Sequence, residues 1–213
     1  MQIFPSVLAL IDTPESWNTR IAELPVPVAG VHYDIGDGEF VPSLMLPPDD
    51  ISFLSEELPV DVHLMVRKPS AYFEKLFSFP SVQAVAVHVE CDEDIHKLIQ
   101  TLRNAGKKVW LALLDTTPAD HLDPYILEID YVLIMTVKWG YSGTPFIPEV
   151  LPKISEIHGE RPELPIIVDG GIGEQTLPLC IQAGATGAVM SSALFSGGDL
   201  GWLKHFLQTR EEI

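Results

Sequence analysis

The sequence predicts one (β/α)8 barrel spanning residues 1–213. Eight short runs of apolar and β-branched residues alternate with eight segments of helical spacing, and this length is common for one such barrel. The main rival is an open doubly wound sheet, which should have fewer units and a glycine fingerprint after its first strand. The first run here ends in Leu8-Ala9-Leu10 instead. Because no linker or low-complexity segment interrupts this alternation of strands and helices, we expect a single domain.

The elements follow from this alternation and from local stop and start signals. We expect strands at residues 3–10, 26–35, 60–66, 82–89, 107–114, 131–137, 165–168 and 187–190. We expect helices at residues 15–24, 47–58, 71–79, 92–105, 117–128, 148–158, 174–183 and 193–209. Pro14 and Pro118 each follow a threonine, which is typical of a helix start, and Gly106 and Gly184 suit helix ends. The fourth strand is nearly all apolar, as expected for a strand covered on both faces.

Composition and charge narrow the classes of function. The formal net charge is −17, from 30 acidic and 13 basic residues. Nucleic acid is therefore not expected as a partner, because binding it needs a basic face. An anionic membrane surface is excluded by the same argument, and no apolar run approaches the roughly 18 residues of a membrane span. The two cysteines, Cys91 and Cys180, do not form a disulfide framework and suit a reducing compartment. We expect a cytoplasmic protein.

Histidines and aspartates stand at the ends of three predicted strands. His32 and Asp34 are two residues apart, so their side chains point to the same face of a strand. Such groups are costly to bury without a partner, and a divalent metal would satisfy both. The pattern recurs at His63 and at Asp169. In a barrel these ends meet at one rim, where active sites lie, so the four residues are predicted to form a metal site. The alternative is a hydrogen-bonded polar network that fills the barrel mouth.

Eight ordered motifs resemble those of the ribulose-phosphate 3-epimerase family, and the resemblance covers nearly the whole chain. In order they are PSVL at 5–8, HYD at 32–34, DGEFVP at 37–42, DVHLM at 61–65, HVE at 88–90, LIMTV at 133–137, FIPEVLPKI at 146–154 and VDGGI at 168–172. The resemblance implies inversion at carbon 3 of a ketopentose 5-phosphate, converting D-ribulose 5-phosphate to D-xylulose 5-phosphate. It also implies a homo-oligomer, since the family commonly forms dimers or larger assemblies.

The resemblance assigns roles to the residues of the predicted metal site. His32, Asp34, His63 and Asp169 match the family's metal ligands, and Asp34 and Asp169 match its acid/base pair. Inversion through a planar enediolate requires one base on each face of the substrate, and a metal stabilises the enediolate. The mixed nitrogen and oxygen ligands favour Zn²⁺ but also suit Fe²⁺, Mn²⁺ or Co²⁺. His88 is expected either to support the metal ligands or to be a hydrogen-bonded core histidine.

The sugar phosphate itself is expected to contact residues at the same rim. Barrels usually bind phosphate in the loops after strands seven and eight, and the strand-six loop would close over it. The expected substrate-binding residues are Ser6, His63, Met65, Met135, Gly140, Tyr141, Ser142, Gly143, Gly170, Gly171, Ser191 and Ser192.

Several positions depart from the family pattern, and they bear on substrate identity. The strand-six loop reads KWGYSGT from Lys138, where the family has Asn-Pro-Gly-Phe-Gly-Gly-Gln. Gly36 stands where the family has a methionine over the reacting carbons, which suggests an open position. Asp115 often corresponds to Asn, and Ser191 to Gly. Two alternatives therefore stay open: a 3-epimerase of a ketohexose 6-phosphate such as allulose 6-phosphate, and a non-catalytic sugar-phosphate-binding relative.

Overall fold

Eight parallel strands curl into a barrel in the computed structural model, which describes residues 1–138 and 144–211. The strands are β1 (Gln2–Pro5), β2 (Val31–Gly36), β3 (Val60–Met65), β4 (Val82–His88), β5 (Lys108–Leu113), β6 (Tyr131–Met135), β7 (Ile166–Asp169) and β8 (Gly187–Met190). They pair in the order β1-β8-β7-β6-β5-β4-β3-β2. A bridge from Ser6 to His32 joins the two outer strands and nearly closes the ring. The (β/α)8 fold class is confirmed.

Helices surround the strands. The α-helices are α1 (Trp17–Ala22), α2 (Ser70–Phe77), α3 (Ile95–Asn104), α4 (Leu151–Glu160), α5 (Leu177–Ala183), α6 (Ser192–Phe195) and α7 (Gly201–Glu211). Short 3₁₀ helices occupy Val7–Leu10, Pro14–Ser16, Pro48–Phe53, Ala119–Leu122 and Pro148–Val150. None of the helices in the described chain combines the length and apolar character needed to cross a membrane.

Several predicted elements differ from those observed. Strand two begins at Val31 rather than at residue 26, and the helix expected at residues 193–209 is divided into α6 and α7. Strand one ends at Pro5 rather than at residue 10, because the Ser6 hydroxyl accepts from the Leu8 amide at 3.3 Å and starts a 3₁₀ turn. The second helix stops after Phe53, where the Asn18 side chain binds the Phe53 carbonyl and the Ser55 amide. The fifth helix is reduced to Ala119–Leu122. Proline at position 124 lacks the amide hydrogen that a longer helix needs.

The barrel interior is filled by side chains below the strand ends. A buried cluster inside the ring contains Phe4, Ala84, Ala86, Trp110, Ala112, Leu133, Ile167 and Val189. Trp110 is the largest of them and packs edge-on against Phe4, with ring centroids 5.1 Å apart. Its ring lies 6.4 Å from that of His32. The small alanines of β4 and β5 leave room for this indole, which forms an apolar floor under the polar groups at the rim.

Gly184 provides a test of how tightly the helices pack. It ends α5 with φ +114°, and a Cβ there would lie 2.5 Å from the His158 side chain. Gly106 also has positive φ, at +71°, but a Cβ there meets nothing within 4 Å. We expect Gly106→Ala to cost about 1 kcal/mol from backbone strain. Gly184→Ala should cost about 2–4 kcal/mol because a steric clash adds to the strain. Urea unfolding of both variants measures the difference, and equal losses would contradict it.

Candidate metal centre and active site

Strand register brings the predicted ligands together. β2 and β3 pair so that His32 lies opposite Asp61 and Asp34 lies opposite His63. Alternation along each strand points all four side chains into the barrel. Asp169 is the last residue of β7 and extends toward them from across the ring. His32 and His63 are fully buried, and Asp34 is 4% exposed.

The four predicted ligands form a compact cluster. Each of His32, Asp34, His63 and Asp169 offers one ligand atom, and these atoms lie within 4.8 Å of one another. His32 Nε2 is 3.3 Å from Asp34 Oδ1 and 3.8 Å from Asp169 Oδ2. His63 Nδ1 is 3.2 Å from Asp34 Oδ1 and 3.6 Å from Asp169 Oδ2. Two imidazole nitrogens and two carboxylate oxygens therefore converge on one point.

This cluster fits a divalent metal. His32 Nε2 is buried, and no hydrogen-bond partner satisfies it among residues 1–138 and 144–211. A network made for hydrogen bonding alone would satisfy that nitrogen, so the polar-network alternative accounts for the geometry less well. Metal-ligand nitrogens are instead aimed at the ion as bare lone pairs. Two histidines and two carboxylates match the ligand chemistry of Zn²⁺ and of other first-row divalent ions.

Mutual electrostatics shift the pKa values inside the cluster. Burial by itself lowers the pKa of His32, but the carboxylates of Asp34 and Asp61 outweigh it, and the pKa is raised well above its ordinary value. The pKa of His63 is also raised: burial opposes this, and hydrogen bonds to Asp169 and Asp34 overcome it. Burial raises the pKa of Asp34, yet the two imidazoles reverse the effect and hold it low. Asp34 is therefore ionised.

Asp61 is a site residue that the sequence reasoning missed. It is 4% exposed, and one of its carboxylate oxygens accepts a short hydrogen bond from His32 Nδ1. This contact orients the ring so that Nε2 faces the cluster, as carboxylates behind metal-bound histidines commonly do. Burial raises the pKa of Asp61 despite the nearby imidazole of His32. Its position two residues before His63 was the available signal, because such residues share a strand face.

His88 contacts His63, one of the predicted ligands, rather than standing alone in the core. Its Nε2 lies 2.8 Å from His63 Nε2, and its Nδ1 lies 3.1 Å from Glu90 Oε2. Glu90 Oε1 accepts from the Leu114 amide at 3.0 Å and from the Thr117 hydroxyl. Burial lowers the pKa of His88, although Glu90 opposes this effect. Of the two alternatives for His88, the structure supports the first.

A cavity of about 490 Å³ opens directly above the cluster. Both Asp34 and Asp169 line it, and the Ser6 hydroxyl donates to Asp34 Oδ2 at 2.8 Å within it. Of the residues expected to bind substrate, its lining includes Ser6, Met65, Met135, Gly170, Gly171, Ser191 and Ser192. Gly140, Tyr141, Ser142 and Gly143 lie outside the described residues, as does Trp139.

The chain turn after β7 requires glycine. Gly170 and Gly171 have φ of +106° and +64°, a region that disfavours other residues. A Cβ on Gly170 would overlap the Val137 side chain. A Cβ on Gly171 would lie 3.0 Å from the Phe146 backbone. These close contacts let the backbone form one wall of the cavity.

The expectation of an open position at Gly36 is wrong. A Cβ there would lie 2.8 Å from the Ser43 carbonyl oxygen, 2.9 Å from Val41 and 3.0 Å from Met45. The segment after β2 folds back onto this strand, since the Leu46 amide donates to the Asp34 carbonyl at 3.1 Å. Met45 also lines the cavity. An apolar thioether therefore stands beside the position where the family's methionine is absent.

Comparison with known proteins agrees with this site. A sequence model described as the ribulose-phosphate 3 epimerase family matches residues 2–195. The chain belongs to that family. Ribulose-phosphate 3-epimerase of Bacillus subtilis is 35% identical over 176 residues, covering 79% of this chain and 81% of the relative. The Treponema pallidum enzyme of the same name is 39% identical over 173 residues, covering 78% and 79%. Members of the ribulose-phosphate 3-epimerase family are isomerases, and this chain is an enzyme of that type.

Solved structures of low identity share the fold. Orotidine 5′-monophosphate decarboxylase from Sulfolobus solfataricus superimposes with a TM-score of 0.62 at 13% identity, covering 99% of this chain and 98% of that one. A 3-hexulose-6-phosphate synthase superimposes with a TM-score of 0.61 at 16% identity, covering 93% and 94%. Identities this low establish the barrel and nothing about the reaction.

The metal site can be tested through stability. A divalent cation at a hundred times its dissociation constant should stabilise the fold by about 2.7 kcal/mol, which corresponds to a rise in Tm of roughly 5–10 °C. We expect His63→Ala to abolish this rise, because one ligand is lost. His96→Ala is the control, since His96 is exposed and contacts Glu128 instead. Thermal melts with Zn²⁺, Mn²⁺ and a chelator measure the effect. A rise that survives in His63→Ala would refute the assignment.

Metal binding should release protons. The pKa values of both His32 and His63 are raised, because neighbouring carboxylates outweigh the opposing effect of burial. A metal needs each ring nitrogen as a bare lone pair, so it must displace the proton that a raised pKa retains. We therefore expect proton release at pH 7 and weaker affinity as the pH is lowered toward 6. Calorimetric titration in two buffers of different ionisation enthalpy gives the number of protons. Identical heats in both buffers would contradict the expectation.

Proposed function

We propose that this enzyme inverts carbon 3 of a ketose phosphate and interconverts D-ribulose 5-phosphate and D-xylulose 5-phosphate. The observation that carries the proposal is the convergence of His32, Asp34, His63 and Asp169 at the base of the cavity. The family match and the names of the two bacterial relatives support the same reaction.

The four residues are proposed to hold one divalent cation. Zn²⁺ suits the two nitrogen and two oxygen ligands best, and Fe²⁺, Mn²⁺ and Co²⁺ are compatible. Bound there, the cation would polarise the carbonyl next to carbon 3 and stabilise the negative charge of an enediolate.

Asp34 and Asp169 are proposed as the acid/base pair. Both line the cavity, and they belong to β2 and β7, which are separated by β1 and β8 around the ring. A substrate lying between them would have one carboxylate on each face, as inversion requires. His32 and His63 lower the pKa of Asp34 against the effect of burial, so its carboxylate is in the ionised form that can accept a proton. The Ser6 hydroxyl holds the other oxygen of Asp34 in place.

The remaining cavity walls suit a sugar phosphate. Met45, Met65 and Met135 are proposed to cover the reacting carbons and to exclude water from the enediolate. We propose that phosphate binds at the backbone of Gly170 and Gly171 and beside Ser191 and Ser192. Positive φ at both glycines supports a close approach of the backbone there. Residues 140–143 are proposed to complete this site.

We propose further that residues 1–213 form a single catalytic domain that works in the cytoplasm as a homo-oligomer. A rice relative named as the cytoplasmic isoform of ribulose-phosphate 3-epimerase, 33% identical over 177 residues, supports the location.

Proton NMR in D₂O tests the reaction. Metal-loaded protein should exchange the carbon-3 proton of ribulose 5-phosphate for deuterium while xylulose 5-phosphate accumulates. Replacing Asp34 or Asp169 by Asn should lower turnover by about 10²–10⁴-fold, because each removes one base. Asp92→Asn is the matched control, since Asp92 is exposed and contacts Arg67. Metal content is measured in every variant, which separates loss of a base from loss of the ion.

The same assay distinguishes the alternatives. Faster turnover of allulose 6-phosphate than of ribulose 5-phosphate would reassign the substrate to a ketohexose phosphate. The filled space beside Gly36 argues against that alternative. Calorimetric binding of either sugar phosphate, without exchange or product, would indicate a non-catalytic relative. Full activity in both Asn variants would rule out the two-base mechanism.

A further inference from the structure

A line of hydrogen-bonded side chains leads from His63 away from the metal site. His63 Nδ1 faces the cluster, at 3.2 Å from Asp34 Oδ1 and 3.6 Å from Asp169 Oδ2. The opposite nitrogen, Nε2, lies 2.8 Å from His88 Nε2. His88 Nδ1 then lies 3.1 Å from Glu90 Oε2. Both histidines of this line are fully buried.

Only one arrangement of protons in this line is compatible with a metal at His63. A metal on Nδ1 requires a bare lone pair there, so the neutral ring carries its proton on Nε2. That proton must be donated to His88 Nε2, because a contact of 2.8 Å between two ring nitrogens holds a single hydrogen. His88 then carries its own proton on Nδ1 and donates it to Glu90 Oε2. The opposite set of tautomers would place a proton on His63 Nδ1, where the metal has to bind.

Glu90 is the member of this line that decides between the two arrangements. An ionised carboxylate only accepts hydrogen bonds, so Oε2 demands a proton on His88 Nδ1. Its other oxygen is held by the Leu114 amide at 3.0 Å and by the Thr117 hydroxyl. Burial acts to raise the pKa of Glu90, but His88, Thr117 and Leu114 reverse this and lower it.

We infer that Glu90, acting through His88, is a positioning residue that holds His63 in its metal-binding tautomer. The inference rests on the metal site of the proposed function but not on the reaction, since its consequences appear in metal affinity and in ring protonation. Asp61 acts on His32 directly, by one hydrogen bond. Glu90 acts on His63 indirectly, through His88.

Glu90→Gln reverses the donor and acceptor roles in these hydrogen bonds, with almost no change in the shape of the side chain. The Leu114 amide can donate only to an oxygen, so the side-chain carbonyl of the introduced glutamine should take the place of Oε1. Its NH₂ group then faces His88 Nδ1 and donates to it. His88 must carry its proton on Nε2 and donate it to His63 Nε2, which leaves a proton on His63 Nδ1. Metal binding would then require the whole line to be rearranged against the Leu114 contact.

The cost of rearranging these hydrogen bonds should appear as a loss of metal affinity. We expect Glu90→Gln to weaken Zn²⁺ or Co²⁺ binding by about 10–100-fold, the usual effect of changing a group behind a metal-bound histidine. Competition with a chromogenic chelator gives the affinity without any sugar phosphate. Glu128→Gln is the control, because it also replaces a carboxylate that contacts a histidine. That contact, with His96 at 3.0 Å, is exposed. The metal affinity of Glu128→Gln should match that of the wild type.

Nitrogen-15 NMR of labelled histidines reads the tautomers directly. In the metal-loaded wild type, His88 should be protonated on Nδ1 and His63 on Nε2. In metal-free Glu90→Gln, His88 should instead be protonated on Nε2, and His63 Nε2 should carry no proton. A wild type with His88 protonated on Nε2 overturns the inference even if the variant does not fold. If Glu90→Gln weakens metal affinity but leaves the tautomers unchanged, Glu90 has only a packing role and the inference is overturned. Unchanged metal affinity in this variant would also overturn the inference. Loss of turnover with normal affinity would likewise overturn it and would bear on the acid/base pair instead.

Discussion

The pairing of His32 with Asp61 and of Asp34 with His63 across β2 and β3 is the contact on which the site depends. Ionisable groups inside an apolar barrel are costly unless each has a partner of opposite charge or a hydrogen bond. The register of two parallel strands provides these partners in two adjacent layers. A slip of one residue would turn every member outward. Asp169 then completes the cluster from β7.

The barrel encloses this pairing from below and from above. Below it, Trp110 and the small residues of β4 and β5 form an apolar floor. Above it, the segment after β2 and the glycine turn after β7 form the cavity walls. Both histidines have a second polar neighbour on the side away from the cavity, Asp61 for His32 and His88 for His63. A carboxylate therefore stands behind each imidazole, directly in one case and through another ring in the other.

This arrangement explains why departures from the family pattern cluster where they do. The four clustered residues match the family's pattern, while Gly36 and the segment from Lys138 depart from it. At Gly36 the change is compensated locally, because Met45 and the Ser43 carbonyl fill the space. A position that only shapes the cavity wall can change in this way, since Met45, from the segment after β2, fills the space beside Gly36. Metal ligands cannot, because their atoms must converge on one point.

The sequence by itself determined the barrel and the four clustered residues. Alternating apolar runs and helical spacing are local properties, and His32, Asp34, His63 and Asp169 all stand at strand ends that a parallel barrel gathers at one rim. Local spacing also predicted α2 and α3 closely. It overestimated the second and fifth helices, because tertiary contacts of Asn18 ended one and proline at position 124 limited the other.

Only the tertiary structure decided which groups contact the two clustered histidines from the side away from the cavity. Asp61 and Glu90 are visible in the sequence as ordinary acidic residues, and their roles come from strand register and from the Leu114 amide just after β5. The space at Gly36 was likewise decided by a chain segment that folds back from further along the sequence, at Met45. Such contacts depend on the direction of side chains across neighbouring strands and loops, which local residue patterns do not encode.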